Sequence, residues 1–384
     1  MATGTARREI PASAEDAAAL LREAAEAGRS VRIVGGETKA WGHPGREPEL
    51  ELHSSGLDRI VEHNAGDLTA VLEPGVRLAD AQDRFAEAGQ MLALDPPDGG
   101  ATIGGVVAAG DSGPLRSRYG GARDLVVGVR AALPDGTVVR AGGKVIKNVA
   151  GYDLAKLLTG SFGTLGVIVE LAVRLHPRPP ATATAVGRSD DGPSLARAAV
   201  DAAHAPLEAE ALDVSWGPGG GAVLVRFGGV APLPAAEAAG RLLAGAGLDV
   251  ELADDDAAIW DAQRAAQRSS EGTVVRVSST QSRLPAVIAA AERLGATLVG
   301  RAGLGLSWLR LEERSAGDSA AAAEELRARL APDPCVVLDA PADVRGRVDP
   351  WGPVDPGLLA VMRRLKQRFD PDGVCNPGVF VGGI

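Results

Sequence analysis

Fifty of the 384 residues are glycine, and in three separated stretches glycines stand close together beside residues suited to hold a ligand. Glycine lets backbone turn through positive φ and lets other groups approach the main chain closely. A chain that concentrates it three times must fold so that bare backbone faces something. The first stretch is Gly35-Gly36-Glu37-Thr38-Lys39, directly after the apolar run VRIV. Successive N–H groups in such a turn form an anion-binding nest, to which Thr38 adds a hydroxyl and Lys39 an ammonium. The same Gly-Gly is also a common tight turn.

The second stretch runs Pro96-Pro97-Asp98-Gly99-Gly100-Ala101-Thr102-Ile103-Gly104-Gly105 and continues in small residues through Ala108 and Gly110 to Asp111, Ser112 and Gly113. It reads as a helix opening with a bare face, where N–H groups favour phosphate and a flat ring can lie against the chain. Close helix packing explains the same glycines. The pattern is not a GxGxxG turn inside a βαβ unit, so a Rossmann fingerprint is not met.

The third stretch, Gly142 to Ile168, carries Lys144, Lys147, Asn148, Gly151, Tyr152 and Asp153, with Gly160, Gly163 and Gly166 bracketing the approach to a buried strand. Such a strand offers N–H and C=O groups to an adenine or isoalloxazine edge. The lysines suit phosphates or the N1/C2 end of a reduced flavin, where negative charge develops. The plain alternative is a surface loop with solvated lysines.

Composition narrows the class. The length exceeds one ordinary core and predicts two or three domains. A formal net charge of −10 argues against a nucleic-acid binder. No apolar run is long enough to span a bilayer, and the start of the chain lacks the apolar block of a secretory signal, so a cytoplasmic setting is expected. The only cysteines, Cys335 and Cys375, are far apart and form no CxxC pair, which argues against a disulfide framework and a resident iron–sulfur cluster. Lysine, tyrosine and asparagine are rare in this arginine-rich chain. They gather at Lys39, within 119–156 and within 366–376.

Local patterns predict a short N-terminal tail, then a helix over 14–27 with Ser13 as N-cap and Gly28 as stop. Short strands follow at ELELHSS, RIVEHN, TAVLEPG and MLALDP. A hairpin turns at Asp135-Gly136, and a long buried strand, TLGVIVELAVRLHP, ends in prolines. After the Pro- and Thr-rich segment near 180 the grammar changes. Strands and helices then alternate in two approximate β–α–β rounds, predicting a mostly antiparallel sheet with helices on one face. The expected organisation is a first domain over 1–178, a second over 179–345, and a segment, 346–384, returning to the first.

The order strand–GG–T, then PP–x–GG–ATIGG–small residues–YGG–D, then GGKVIKNVAGYDLAKLLTGSFGTLGVI resembles the FAD-binding domains of the vanillyl-alcohol oxidase / p-cresol methylhydroxylase fold. More closely it resembles the FAD-binding subunits of bacterial glycolate oxidase, most strongly in residues 31–177 and most weakly in 180–345, with FDPDGVCNPGVF matching the family's C-terminal end. The resemblance implies an α+β fold: a two-lobed FAD-binding domain of the p-cresol methylhydroxylase type and a smaller antiparallel α+β cap domain. It places Gly35, Gly36, Glu37, Thr38 and Lys39 in the pyrophosphate loop. It sets Pro96, Thr102, Ile103, Gly104, Gly105, Ala108, Asp111, Ser112 and Gly113 beside flavin and diphosphate. Asn148, Gly151, Tyr152, Gly163, Gly166 and Ile168 then lie along adenine and flavin, and Asn376 near the flavin edge, while Lys147 keeps the reading given above for the lysines.

Two departures matter. Covalent-flavin members often carry a His in the first loop, where this chain has Glu37 or Thr38, so noncovalent FAD is expected. Related single-chain 2-hydroxy-acid dehydrogenases carry His and carboxylate motifs in the substrate lobe, whereas here the only His after 176 is His204. A 2-hydroxy acid needs a base near its hydroxyl and a cation for its carboxylate. Arg226, Arg276, Arg301 and Arg310 are candidates for the cation, each equally readable as a solvated strand residue, and no base stands out. The expected role is therefore the FAD-binding subunit of a heteromeric glycolate (2-hydroxy acid) oxidase or dehydrogenase. Its partners would be another flavin subunit and an iron–sulfur subunit, with membrane association only through them. The alternatives are a single-chain FAD-dependent alcohol or sugar oxidase, and a non-catalytic flavin-fold assembly subunit.

Overall fold

A computed structural model describes residues 6–97, 99–144, 154–312 and 314–384. Ser13 starts the first helix, α1 (Ala14–Glu26), by accepting the Asp16 N–H at 3.0 Å, and Gly28 follows its end at φ +63°. The small, apolar face of α1 (Ala17, Ala18, Leu21, Ala24) is fully buried. That face shares one core with Val31, Leu50 and Leu52, from β2 (Val31–Val34) and β3 (Leu50–His53), which pair in parallel with β1 (Arg7–Glu9) in the order β1-β3-β2. Arg7–Glu9, read from sequence as tail, is a strand. Three polar residues have no alternation to detect, and edge pairing with β3 supplies the order.

The chain continues through β4 (Ile60–Asn64), β5 (Thr69–Leu72), α2 (Leu78–Ala86), β6 (Gln90–Met91), α3 (Ile103–Ala109), α4 (Arg116–Tyr119) and α5 (Ala122–Leu125). Then come β7 (Val126–Ala132), β8 (Val138–Gly142), α6 (Leu154–Leu158), β9 (Val167–Arg174) and β10 (His176–Pro177). An antiparallel sheet runs β4-β5-β9-β7-β8. Its middle strand, β9, is the predicted buried run. The β7–β8 hairpin turns at Asp135-Gly136, with Gly136 at φ +83°. MLALDP holds less strand than expected, because only Gln90–Met91 pairs, with β10, before prolines remove donors.

Residues 181–339 form β11 (Ala181–Ser189), α7 (Gly192–His204), β12 (Ala211–Gly217), β13 (Gly220–Gly229), α8 (Leu233–Gly245), β14 (Asp249–Ala253), α9 (Ala257–Ala265) and β15 (Thr273–Ser278). They continue with α10 (Leu284–Leu294), β16 (Thr297–Arg301), β17 (Leu306–Leu311), α11 (Ala316–Leu330) and β18 (Cys335–Asp339). Eight strands pair antiparallel in the order β14-β11-β13-β12-β16-β17-β15-β18. Helices α7, α8, α10 and α11 bury Leu195, Leu243, Val287 and Leu326 against one face. The expectation of helices on one face alone is corrected: α9 covers the other, where Trp260 packs on Val186 and Leu224. Those apolar residues alternate onto the second face and need a cover. Last come α12 (Ala342–Arg345) and α13 (Pro356–Phe369).

The chain divides into two compact units. One combines residues up to Ser112 with Gly120–Arg178 and Val354–Ile384; the other combines Gly113–Tyr119 with Pro179–Pro353. Residues 346–353 thus group with the second unit, and the return begins at Val354. Within the first unit, Val374 and Cys375 join the α1 core, and Cys375 bridges Val31 in parallel, so the returning segment extends the parallel sheet.

Candidate functional site

Parts of all three glycine stretches meet in the first unit: Gly35-Gly36 against Gly100 and Thr102, and Gly160–Phe162 against α3. A Cβ built on Gly36 would lie 2.3 Å from the Gly100 carbonyl oxygen, and one on Gly35 would lie 2.6 Å from Thr102 Oγ1. The loop leaving β2 therefore passes backbone to backbone against the stretch that opens α3. Glu37 adopts φ +52°, a conformation L residues seldom take. Lys39 reaches from the first stretch to the second: its Nζ stands 3.5 Å from Asp111 Oδ2, with both side chains nearly buried, and also donates to Thr38 Oγ1 at 3.1 Å. The other Asp111 oxygen accepts the Ser112 N–H.

Thr102 caps α3 by accepting the Gly105 N–H at 3.3 Å. The two glycines after it differ. A Cβ on Gly104 would lie 2.5 Å from the Pro74 side chain, and its N–H donates to the Pro74 carbonyl, so Gly104 serves packing. Among the described residues a Cβ on Gly105 would meet only its own cap, Thr102 Oγ1, at 3.1 Å. At the far end of α3, Gly110 takes φ +64° and approaches Gly160. The third stretch then docks on α3: Gly160 N–H donates to Val107 O at 3.0 Å and Phe162 N–H to Ala108 O at 2.9 Å. Ser161 Oγ lies buried beside them with no hydrogen-bond partner among the described residues.

Other predicted residues sit differently. Pro96 is buried after β6, and Ile103 is wholly buried on α3. Gly166 brings β9 against Ala132 O, 2.7 Å from where its Cβ would be, and Ile168 is a nearly buried residue of β9 opposite Ala131. Gly113 groups with the second unit. Lys147, Asn148, Gly151 and Tyr152 lie outside the described residues.

Asn376 acts on backbone. Its Oδ1 accepts the Ile33 N–H at 2.9 Å and its Nδ2 donates to Phe162 O at 2.7 Å, while its own N–H reaches Val31 O. Beside it is a clasp that the sequence flags only by the rarity of lysine. Lys366 Nζ donates to Thr164 O at 2.8 Å, Cys375 O at 2.9 Å and Asp370 Oδ2 at 2.6 Å. Asp370, 1% exposed, also accepts the Val374 and Cys375 N–H groups. Burial pushes the Cys375 thiol up, out of reach of titration near neutrality.

In the second unit the four candidate arginines alternate onto one face of the sheet, away from the large helical core. Arg301 is not solvated: it and Asp213 are fully buried, 2.9 Å apart, with Arg301 4.7 Å above the Trp308 ring and Gln263 also donating to Asp213. Burial pushes the Asp213 carboxyl up to about 6, against the pull of Arg301. The strand pattern could not show this, because the partners come from β12 and α9. Arg226 is likewise held, 3.1 Å from Asp256, which also accepts from Thr182 and Thr184. Arg310 reaches further into solvent than either and stands 3.5 Å from Glu312. Tyr119 donates to Glu210 at 2.8 Å; burial and that carboxylate push the phenol up, and Gly228 leaves room for the pair. His204 bonds Val200 O within its own helix. No group of three or more His, Cys, Asp or Glu suited to a metal occurs among the described residues.

A parallel three-stranded lobe and an antiparallel five-stranded lobe, followed by a large antiparallel unit, define the p-cresol methylhydroxylase class of FAD-binding α+β folds. Two solved structures share it at 16% identity: an alkyldihydroxyacetonephosphate synthase (TM-score 0.71, covering 96% of this chain and 76% of that one) and FgChi7B (TM-score 0.73, 96% and 90%). Residues 7–142 match the FAD binding domain family, and residues 353–380 match the C-terminal domain of FAD linked oxidases. The chain thus carries an FAD-binding domain and the closing element of the FAD-linked oxidases, and its cofactor is FAD.

Among curated proteins it is 40% identical over 155 residues to glycolate oxidase subunit GlcE of Escherichia coli, covering 39% of this chain and 43% of that protein. It is 38% identical over 134 residues to glycolate oxidase subunit GlcD of Bacillus subtilis, covering 35% and 28%. With a mitochondrial D-lactate dehydrogenase [cytochrome] of Arabidopsis thaliana it shares 35% identity over 178 residues, covering 46% and 31%. These matches span less than half the length of each relative.

Proposed function

We propose that the first unit wraps FAD noncovalently and that the chain is the FAD-bearing subunit of a heteromeric 2-hydroxy-acid oxidase or dehydrogenase of the glycolate kind, passing electrons to an iron–sulfur partner. The observation that carries this reading is the Gly36–Gly100 contact, where two glycine turns lie backbone against backbone. The open face of Gly105 and the buried Ser161 hydroxyl, which has no hydrogen-bond partner among the described residues, fit a cofactor that needs close approach and one more hydrogen bond. The ammonium of Lys39 answers Asp111. On this reading amides of the Gly35 to Thr38 turn, and not a basic patch, meet the diphosphate. Asn148, Gly151 and Tyr152 remain part of the proposed site on the resemblance, and Lys147 on the charge its ammonium offers to a phosphate or a reduced flavin.

FAD, when bound, supplies a hydride acceptor for the carbon that bears the substrate hydroxyl. Within the second unit Arg226 and Arg301 are committed to Asp256 and Asp213, and neither is offered as a cation for the substrate carboxylate. A substrate base is assigned to a partner chain, because the one histidine of the second unit is tied to its own helix. Among the described residues no helix is long and apolar enough to cross a membrane. A cytoplasmic location, with any membrane association through partners, suits this role.

Purifying the chain alone and together with candidate flavin and iron–sulfur partners tests the assignment. The expected result is a yellow chain that glycolate bleaches only in the complex. Bleaching of the isolated chain by an alcohol or sugar would make it a complete oxidase. A folded, colourless chain that rejects FAD would make it an assembly subunit.

A further inference from the structure

The C-terminal segment is joined to the strand before the first stretch and to the third stretch at once, and its Asn376 and Lys366 bonds to them are to backbone near a glycine turn. Asn376 links Ile33, two residues before Gly35, to Phe162, one residue before Gly163. Its side chain fills the space that Gly163 leaves, where a Cβ would stand 2.8 Å from Asn376 Nδ2. Lys366 holds the Thr164 carbonyl and, through Asp370, fixes Val374 and Cys375. Phe380 stacks on Phe162, centroids 5.3 Å apart, while Phe162 holds φ +54°. Asn376 itself sits at φ +42°. A left-handed conformation at two non-glycine residues is maintained only where the surroundings over-determine it.

We propose that this clasp is a positioning device for the cofactor: Asn376, with Phe380 behind it, sets the spacing between the Gly35-Gly36 turn and the Ser161–Thr164 turn without contacting the flavin. The inference rests on the reading that these turns hold FAD. It departs from the expectation that Asn376 lies at the flavin edge, because both ends of its carboxamide are engaged on main chain. It also gives the short matched element at 353–380 a role in the first unit, where it packs.

Asn376→Asp keeps the acceptor for Ile33 N–H, removes the donor to Phe162 O and sets a carboxylate against a carbonyl. Phe380→Leu releases only the stack on Phe162. FAD affinity by flavin-fluorescence quenching, the midpoint potential of bound flavin, and the melting temperature of the FAD-free chain are measured for both variants and the native protein. A roughly tenfold weaker FAD affinity in Asn376→Asp is expected, the size of one lost hydrogen bond. The potential should also shift, with a smaller change in Phe380→Leu. If Asn376→Asp fails to fold, Phe380→Leu carries the same test. Unchanged affinity and potential in the variants, with only the melting temperature lowered, would reduce the clasp to a structural tie. A native chain that takes up no FAD would overturn the flavin reading itself, a result separable from the other because it needs no variant.

Discussion

Gly36 and Gly105 are the same residue type under opposite constraints. At Gly36 an added methyl would sit 2.3 Å from a carbonyl oxygen, so Gly36→Ala must push the two backbone segments apart. That variant is expected to lose melting temperature and FAD together. At Gly105 an added Cβ would meet only Thr102 Oγ1 among the described residues, so Gly105→Leu should leave the FAD-free melting temperature within a few degrees of native while FAD affinity falls tenfold or more. Differential scanning fluorimetry with and without FAD separates the two cases. Arg301 makes a residue-scale prediction in the second unit. Removing one member of a fully buried pair strands the other charge, a loss of about 3–5 kcal/mol. Arg301→Met should therefore destabilise by that order in urea unfolding, and the double variant Arg301→Met/Asp213→Leu should recover most of it. A double variant no more stable than the single one would contradict the account.

At the scale of elements, β10 carries a titratable marker. Burial, then the nearby Arg174, lowers the His176 pKa below the ordinary 6.5. The folded state thus resists a proton that the unfolded chain accepts. His176 contributes stability above pH 6.5 that is lost as pH falls through the lowered folded value. Native protein should lose stability between pH 6.5 and 5 faster than His176→Gln, by less than one proton's slope of about 1.4 kcal/mol per pH unit, since the ring is only half-buried. Parallel curves for the two proteins would show that the pairing of β10 with β6 does not sense pH.

Elements with a local cause were legible: α1 through Ser13, the β7–β8 hairpin through Asp135-Gly136, β9 through its apolar run. Those with a distant cause were not. Arg7–Glu9 is a strand only because β3 offers an edge. Trp260 reads as an ordinary helix residue until the second face of the sheet is seen to need a cover.

Over the whole molecule, glycine density pointed to stretches whose described parts include close backbone approaches, at Gly36 against Gly100 and at Gly110 against Gly160. It could not tell which glycine packs against a neighbouring segment and which, among the described residues, does not. Gly104 and Gly105 are adjacent and opposite in this respect. The clasp of Lys366, Asp370 and Asn376 spans more than three hundred residues of sequence to reach Ile33, a distance over which no local pattern carries a signal. The acidic net charge fits the same picture, since an FAD site built from amides needs no basic field. The central claim is that bare backbone from these stretches forms one cradle for a dinucleotide. Titrating FAD into the purified native chain and into Gly105→Leu tests it most directly. The account predicts saturable binding with a yellow, quenched flavin in the native protein and little or none in an equally well folded Gly105→Leu. Equal binding by both would contradict it.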